Sequence, residues 1–223
     1  MLKVERFVNE LMTSNCYIVA DEASKHCVCI DPASEKSLRE IEHIESNGLT
    51  LDYIILTHEH TDHNWGVNAL LAVFPEAKVV CSNYCKNALS REAKVYFQLY
   101  YDVPNYVYHV ERVDITAEEI SMRLNWQQYE IVFIATPGHS PGAICIEVDK
   151  MLFGGDTLMP FKPYIKKRNG GSIDEYRNSL LMLKKKYSPQ TIVYPGHGER
   201  MPMSDMLVFF DNILNSNNDN TDF

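Results

Sequence analysis

Four side chains able to ligate a metal crowd into Thr57-His-Glu-His-Thr-Asp-His63: His58, His60, Asp62 and His63. Imidazole and carboxylate donors in such density do not build a core, and they are the ligands that zinc, iron and manganese accept. The apolar run Leu51-Asp-Tyr-Ile-Ile-Leu56 immediately precedes them and reads as a buried strand. A rigid strand feeding a ligand-bearing loop is how a site is placed within tight tolerances. The chemistry implied is metal-centred hydrolysis.

Three later stretches repeat the design. An apolar strand runs into Gly or Pro and then a ligand-type residue at Thr136-Pro-Gly-His139, at Gly154-Gly-Asp156 and at Pro195-Gly-His197. Glycine lets the backbone turn sharply and approach an ion closely. His58, His60, Asp62, His63, His139, Asp156 and His197 are too many donors for one tetrahedral site. They suit two divalent ions sharing one carboxylate, zinc first and iron or manganese as alternatives. Such a pair lowers the pKa of a water toward ~7, so hydroxide is available at neutral pH. Asp62 is expected to serve catalysis as well as metal binding. His26, His43 and His109 fall in strand, helix and strand contexts and read as structural.

The chain has 223 residues, 45% of them hydrophobic and 23% charged, with a net charge of −9. That balance fits a soluble globular protein and disfavours non-specific nucleic-acid or anionic-lipid binding. The expected partner is a small-molecule substrate, with no nucleic acid and no membrane, and with room for a homodimer. Charged residues break the N-terminus early and no run is long enough to span a bilayer, so a cytoplasmic protein is expected. The six cysteines sit mostly in apolar contexts and read as small buried hydrophobes.

The elements that must position these residues follow from periodicity. Strands are expected at 3–8, 15–20, 26–31, 52–56 and 78–82, and again at 118–124, 129–135, 143–149, 151–154 and 191–194. Helices are expected at 35–46 (capped by Ser34), 64–74, 84–101, 174–186 and 203–214. The order implies a layered α/β fold, read as one domain over 1–214 with a Tyr-rich insertion at about 83–112 and a frayed tail at 215–223. Aromatics at 96, 97, 100 and 101 suit a buried helix face; Tyr100 is also placed to line a substrate cleft. Lys162, Lys166, Lys167 and Arg168 form a basic run after Asp156, suited to a substrate carboxylate or phosphate.

These motifs resemble the metallo-β-lactamase superfamily, and the resemblance covers about residues 3 to 200. It implies a four-layer αβ/βα sandwich of two mixed β-sheets. It also implies that His58, His60 and His139 hold one metal and that Asp62, His63 and His197 hold the other, with Asp156 bridging. The wording is most similar to glyoxalase II-like enzymes: Gly66 three residues after the loop, Gly138-His-Ser-Pro-Gly142, Gly155-Asp-Thr-Leu158 and Pro195-Gly-His-Gly198 all match. Those enzymes hydrolyse glutathione thioesters, which implies a small thioester, ester or lactone as substrate. Two alternatives are a metal-dependent phosphodiesterase or nuclease, and a mononuclear-iron enzyme like the persulfide dioxygenases using His58, His139 and Asp156. A non-catalytic metal-binding module is a further reading. The tyrosine-rich stretch makes the chain between His63 and His139 longer than in glyoxalase II.

Overall fold

The computed structural model describes residues 1–90, 108–119, 122–162, 164–167 and 170–214. The chain divides into two compact units, Met1–Ser121 and Met122–Phe223. Each holds one six-stranded mixed sheet flanked by helices. Among the described residues no helix is long and apolar enough to cross a membrane.

In the first unit the strands lie in sequence order: β1 Leu2–Val8, β2 Asn15–Asp21, β3 His26–Ile30, β4 Thr50–Ile55, β5 Lys78–Cys81 and β6 Ile115–Thr116. β1, β2 and β3 pair antiparallel, whereas β3 through β6 run parallel. The parallel set places Asp31, Thr57 and Ser82, each within two residues of the ends of β3, β4 and β5, at one sheet edge. Ligands commonly bind outside the carboxyl ends of parallel strands. Helices α1 Leu38–Ser46, α2 Thr61–Asn64, α3 Val67–Val73 and α4 Asn83–Leu89 complete the unit. Ile18, Cys29, Ile54, Leu56 and Leu70 meet in its core.

In the second unit the spatial order is β12 Met201–Pro202, β11 Ile192–Pro195, β10 Met151–Gly155, β9 Ile144–Val148, β8 Tyr129–Ala135 and β7 Arg123–Trp126. β8 and β10 both pair antiparallel with β9, and β10 pairs parallel with β11. The ends of β8, β10 and β11 therefore point the same way and deliver His139, Asp156 and His197 to one edge. Helix α5, Ile173–Lys186, is capped by Ser172, whose side chain accepts from the Glu175 amide. Asp174 and Glu175 open it and three lysines close it, as the helix dipole favours. Its Leu180 and Leu183 join Leu152, Val193 and Phe210 in this unit's core. Helices α6 Met203–Val208 and α7 Asp211–Leu214 follow β12.

Several expected boundaries change for local reasons. Ser34 does not cap α1: the N-cap is Ser37, left-handed at φ 44° with no capping side chain, and its hydroxyl bonds the Ser34 carbonyl instead. The helix expected over 64–74 breaks at Trp65-Gly66, giving the one-turn α2 and then α3. The strand expected at 118–124 lies at Arg123–Trp126, because residues 117–119 form a turn in which the Glu119 carboxylate accepts from the Thr116 amide. His109 is in irregular structure, and the terminal helix is interrupted at Phe209-Phe210. Most of the 84–101 helix, and all of 215–223, lie outside the described residues.

Candidate metal centre

The first unit gathers His58, His60, Asp62 and His63. β4 runs straight into the loop, and His60 occupies the N-cap position of α2, so Asp62 and His63 ride on its single turn. Asn64 staples that turn to the loop, its amide donating to the carbonyls of Glu59 at 3.0 Å and His60 at 2.8 Å. His58 Nε2 and His60 Nδ1 stand 3.0 Å apart, and His63 Nε2 lies 3.7 Å from Asp62 Oδ2.

Beneath the loop is a residue that the sequence reading passed over as a strand end. Asp31 is buried, left-handed at φ 54°, and accepts three hydrogen bonds. Thr57 N donates to Oδ1 at 2.8 Å, Thr57 Oγ1 donates to Oδ2 at 2.6 Å, and His63 Nδ1 donates to Oδ2 at 3.0 Å. A carboxylate only accepts, so the proton of His63 sits on Nδ1 and its Nε2 carries a lone pair. The single Thr57 hydroxyl proton is spent on Asp31, so Thr57 Oγ1 accepts from His58 Nδ1, 3.0 Å away. His58 Nε2 is then a lone pair as well. One carboxylate thus sets two imidazoles in the tautomer a metal requires, the role that outer partners of metal-binding histidines play. The signal was available: Asp31-Pro32 repeats the pattern of an apolar strand running into a ligand-type residue.

The second unit gathers His139, Asp156 and His197. The two Asp156 oxygens face different histidines: Oδ2 is 3.4 Å from His139 Nε2, and Oδ1 is 3.7 Å from His197 Nε2. Each loop is held from behind. Gly138, at φ 138°, presses on α5, where a Cβ would meet the Tyr176 backbone nitrogen at 2.3 Å. The Gly138 carbonyl accepts from Ser172 N at 2.8 Å, and Ser179 Oγ donates to the Pro137 carbonyl at 2.8 Å. Tyr176 OH donates to the Thr157 carbonyl at 2.7 Å, and Thr157 in turn touches Thr136 Oγ1 at 3.1 Å. Burial and the nearby Asp156 charge push the Tyr176 hydroxyl pKa well up, so it stays a donor. Gly196 N donates to Gly155 O at 2.8 Å, and a Cβ there would come within 2.2 Å of Asp156 Oδ1.

This donor set fits divalent metal. Donors sharing an ion at about 2.0–2.1 Å stand roughly 2.9–3.4 Å apart in octahedral or tetrahedral shells. The His58–His60 and His139–Asp156 separations match that range. The basic run is partly described: Lys166 Nζ lies 4.1 Å from the centroid of the exposed Tyr164 ring, and Phe161 approaches His197 edge-on at 6.3 Å between ring centroids. Arg168 and Tyr100 lie outside the described residues.

Two mixed sheets with His and Asp donors past their strand ends are the pattern of a metal-binding class. A match to the metallo-beta-lactamase superfamily runs over residues 10–197, and the chain belongs to that superfamily. Among relatives, a hydroxyacylglutathione hydrolase of Francisella tularensis subsp. novicida is 29% identical over 194 residues, 86% of this chain. The chain spans 65% of that enzyme's length. A probable polyketide biosynthesis zinc-dependent hydrolase, BaeB of Bacillus velezensis, is 26% identical over 189 residues, covering 85% of this chain and 75% of its own. The crystal structure of the BLEG-1 B3 metallo-beta-lactamase superposes with a TM-score of 0.79 at 21% identity, covering 96% of this chain and all of that one. The fold is the metallo-β-lactamase fold.

Proposed function

We propose that this protein is a binuclear metal-dependent hydrolase of a small acyl thioester. His58, His60 and His139 would hold one ion, Asp62, His63 and His197 the other, and Asp156 would bridge. The observation that carries the reading is Asp156 itself, whose two oxygens address two different histidines. A carboxylate whose two oxygens face different histidines is able to serve two ions at once. The names of the two relatives, a hydroxyacylglutathione hydrolase and a zinc-dependent hydrolase, support the class.

When bound, two such ions, most simply zinc, would lower the pKa of a water and polarise the thioester carbonyl. The chain supplies the rest. Asp31 and Thr57 keep the lone pairs of His58 and His63 outward. Asp62, besides serving as a ligand, would take the proton of the attacking water. Water adds to the carbonyl, the carbon–sulfur bond breaks, and the products are a carboxylic acid and a thiol. Lys166 and Lys167, with the Tyr164 and Phe161 rings, would receive an anionic thiol-bearing group; Arg168 and Tyr100 belong to the same assignment.

The test joins metal quantification to a substrate panel. Wild type should bind two ions per chain and hydrolyse thioesters in preference to lactones and bis-p-nitrophenyl phosphate. His60→Ala should lose an ion and thioesterase activity together. Unchanged activity after metal loss refutes the reading, as does cleavage of the phosphodiester alone or persulfide-dependent oxygen uptake by an iron-loaded form.

A further inference from the structure

The segment that begins at Tyr108 is bonded directly to α2, which carries Asp62 and His63, and to the neighbouring α3. Buried Tyr108 donates its hydroxyl to the Asn64 carbonyl at 2.5 Å. Asn68, on α3, reads both sides of the next backbone stretch: its amide donates to the His109 carbonyl at 2.8 Å and its Oδ1 accepts from Glu111 N at 3.0 Å. Val110 is buried in the core between them. Arg112 closes the far end, donating to the carbonyls of Pro75 and Ala77 at 2.6 Å each.

α2 is only Thr61–Asn64. A single helical turn fixes several dihedrals for one internal hydrogen bond and does not hold itself. Its position depends on what grips it from outside. Asn64 is the gripped residue: its side chain holds the Glu59 and His60 carbonyls, its own carbonyl is held by Tyr108, and it follows His63 directly.

We propose that residues 108–112 form a strap that sets the position of Asp62 and His63, with Tyr108 as a positioning residue, and that metal binding and strap order are coupled. This rests on the reading that Asp62 and His63 hold a metal. Coupling is reciprocal: whatever factor the strap adds to metal affinity, the metal must add to strap stability. A chain segment entering from the tyrosine-rich stretch is thereby tied to the ligands, although it contributes none.

The experiment needs no assumption about substrate. Zinc stoichiometry and affinity are measured by competition with a chromogenic chelator for wild type, Tyr108→Phe, Asn68→Ala and Asp62→Ala. Hydrogen exchange of the 108–112 amides is followed in zinc-loaded and chelator-treated wild type. Losing one hydroxyl bond should weaken one of the two ions about 5- to 10-fold and spare the other. Asn68→Ala should act in the same direction, and the Glu111 amide should exchange faster once metal is removed. Wild-type zinc affinities in Tyr108→Phe with only a lower Tm, or strap exchange indifferent to metal, would overturn the coupling. If Asp62→Ala binds both ions as wild type does, the underlying ligand assignment fails instead and the inference goes with it. The wild-type exchange measurement stands even where a variant folds poorly.

Discussion

Replacing Asp31 with Asn changes one atom type and tests the tautomer argument directly. An amide can place its oxygen toward Thr57 Oγ1 and His63 Nδ1, and then its NH2 confronts the buried Thr57 N–H that Oδ1 accepts at 2.8 Å. Turned the other way, the NH2 faces both His63 Nδ1 and Thr57 Oγ1, at positions where Oδ2 accepted at 3.0 and 2.6 Å. In the second orientation His63 must move its proton to Nε2, which removes the lone pair it offers a metal. Either way one charge-assisted bond is lost and a buried donor is left without an acceptor, at a cost of about 1–3 kcal/mol. Charged against metal binding, that is a loss of about 5- to 100-fold, the range typical of outer partners of metal-bound histidines. The assay is zinc competition against a chelator, with far-UV circular dichroism to verify the fold. Thr57→Val removes both the acceptor of His58 Nδ1 and the hydroxyl that donates to Asp31 Oδ2, so it should weaken metal binding through His58 most and through His63 less, because His63 keeps its own bond to Asp31. Asp31→Asn with wild-type affinity at both ions would refute the reasoning.

Gly196→Ala puts a methyl 2.2 Å from Asp156 Oδ1 and should lower metal stoichiometry, read by elemental analysis, more than it lowers Tm. Gly138→Ala should instead be a stability variant: its Cβ meets Tyr176 backbone atoms, which cannot rotate away, so urea unfolding should show a loss of about 2–4 kcal/mol. Glu40 is buried with its carboxyl pKa raised by desolvation. A raised folded-state value means that its contribution is fully present below the ordinary pKa of 4.5 and is lost as pH rises through the folded value. Glu40→Gln should therefore raise the urea midpoint at pH 8 and change it little at pH 4; an equal effect at both would remove burial of the charge as the cause.

The candidate ligand residues stood out because each lies shortly past an apolar strand, with Gly or Pro between strand and donor at His139, Asp156 and His197. At Asp31-Pro32 the donor follows the strand directly with the turn residue behind it, and a lone carboxylate before proline also reads as an ordinary stop. What makes it part of the site is β3 lying parallel beside β4, a pairing that periodicity does not reveal. The helix expected at 174–186 falls at Ile173–Lys186, whereas the cap expected at Ser34 is displaced to Ser37, where tertiary packing overrides propensity. Gly66 explains that override: a Cβ there would meet Ser37 Oγ at 2.0 Å, so the loop before α1 is shaped by a neighbour distant in sequence. Tyr108 belongs to the aromatic cluster that composition flagged, but its use, a hydroxyl on the Asn64 carbonyl, is a contact across 44 positions that no local pattern encodes.

All six cysteines are buried. Burial pushes the thiols of Cys16, Cys27 and Cys85 up, and that of Cys145 up to about 12. Exchange with a disulfide needs an accessible thiolate, and burial denies a reagent access to all six positions. A colorimetric disulfide reagent added to the folded protein should therefore stay nearly colourless. Thiol released from a substrate can then be followed continuously in the same cuvette, with the enzyme as its own silent blank, and a slow rise in that blank would report unfolding rather than turnover.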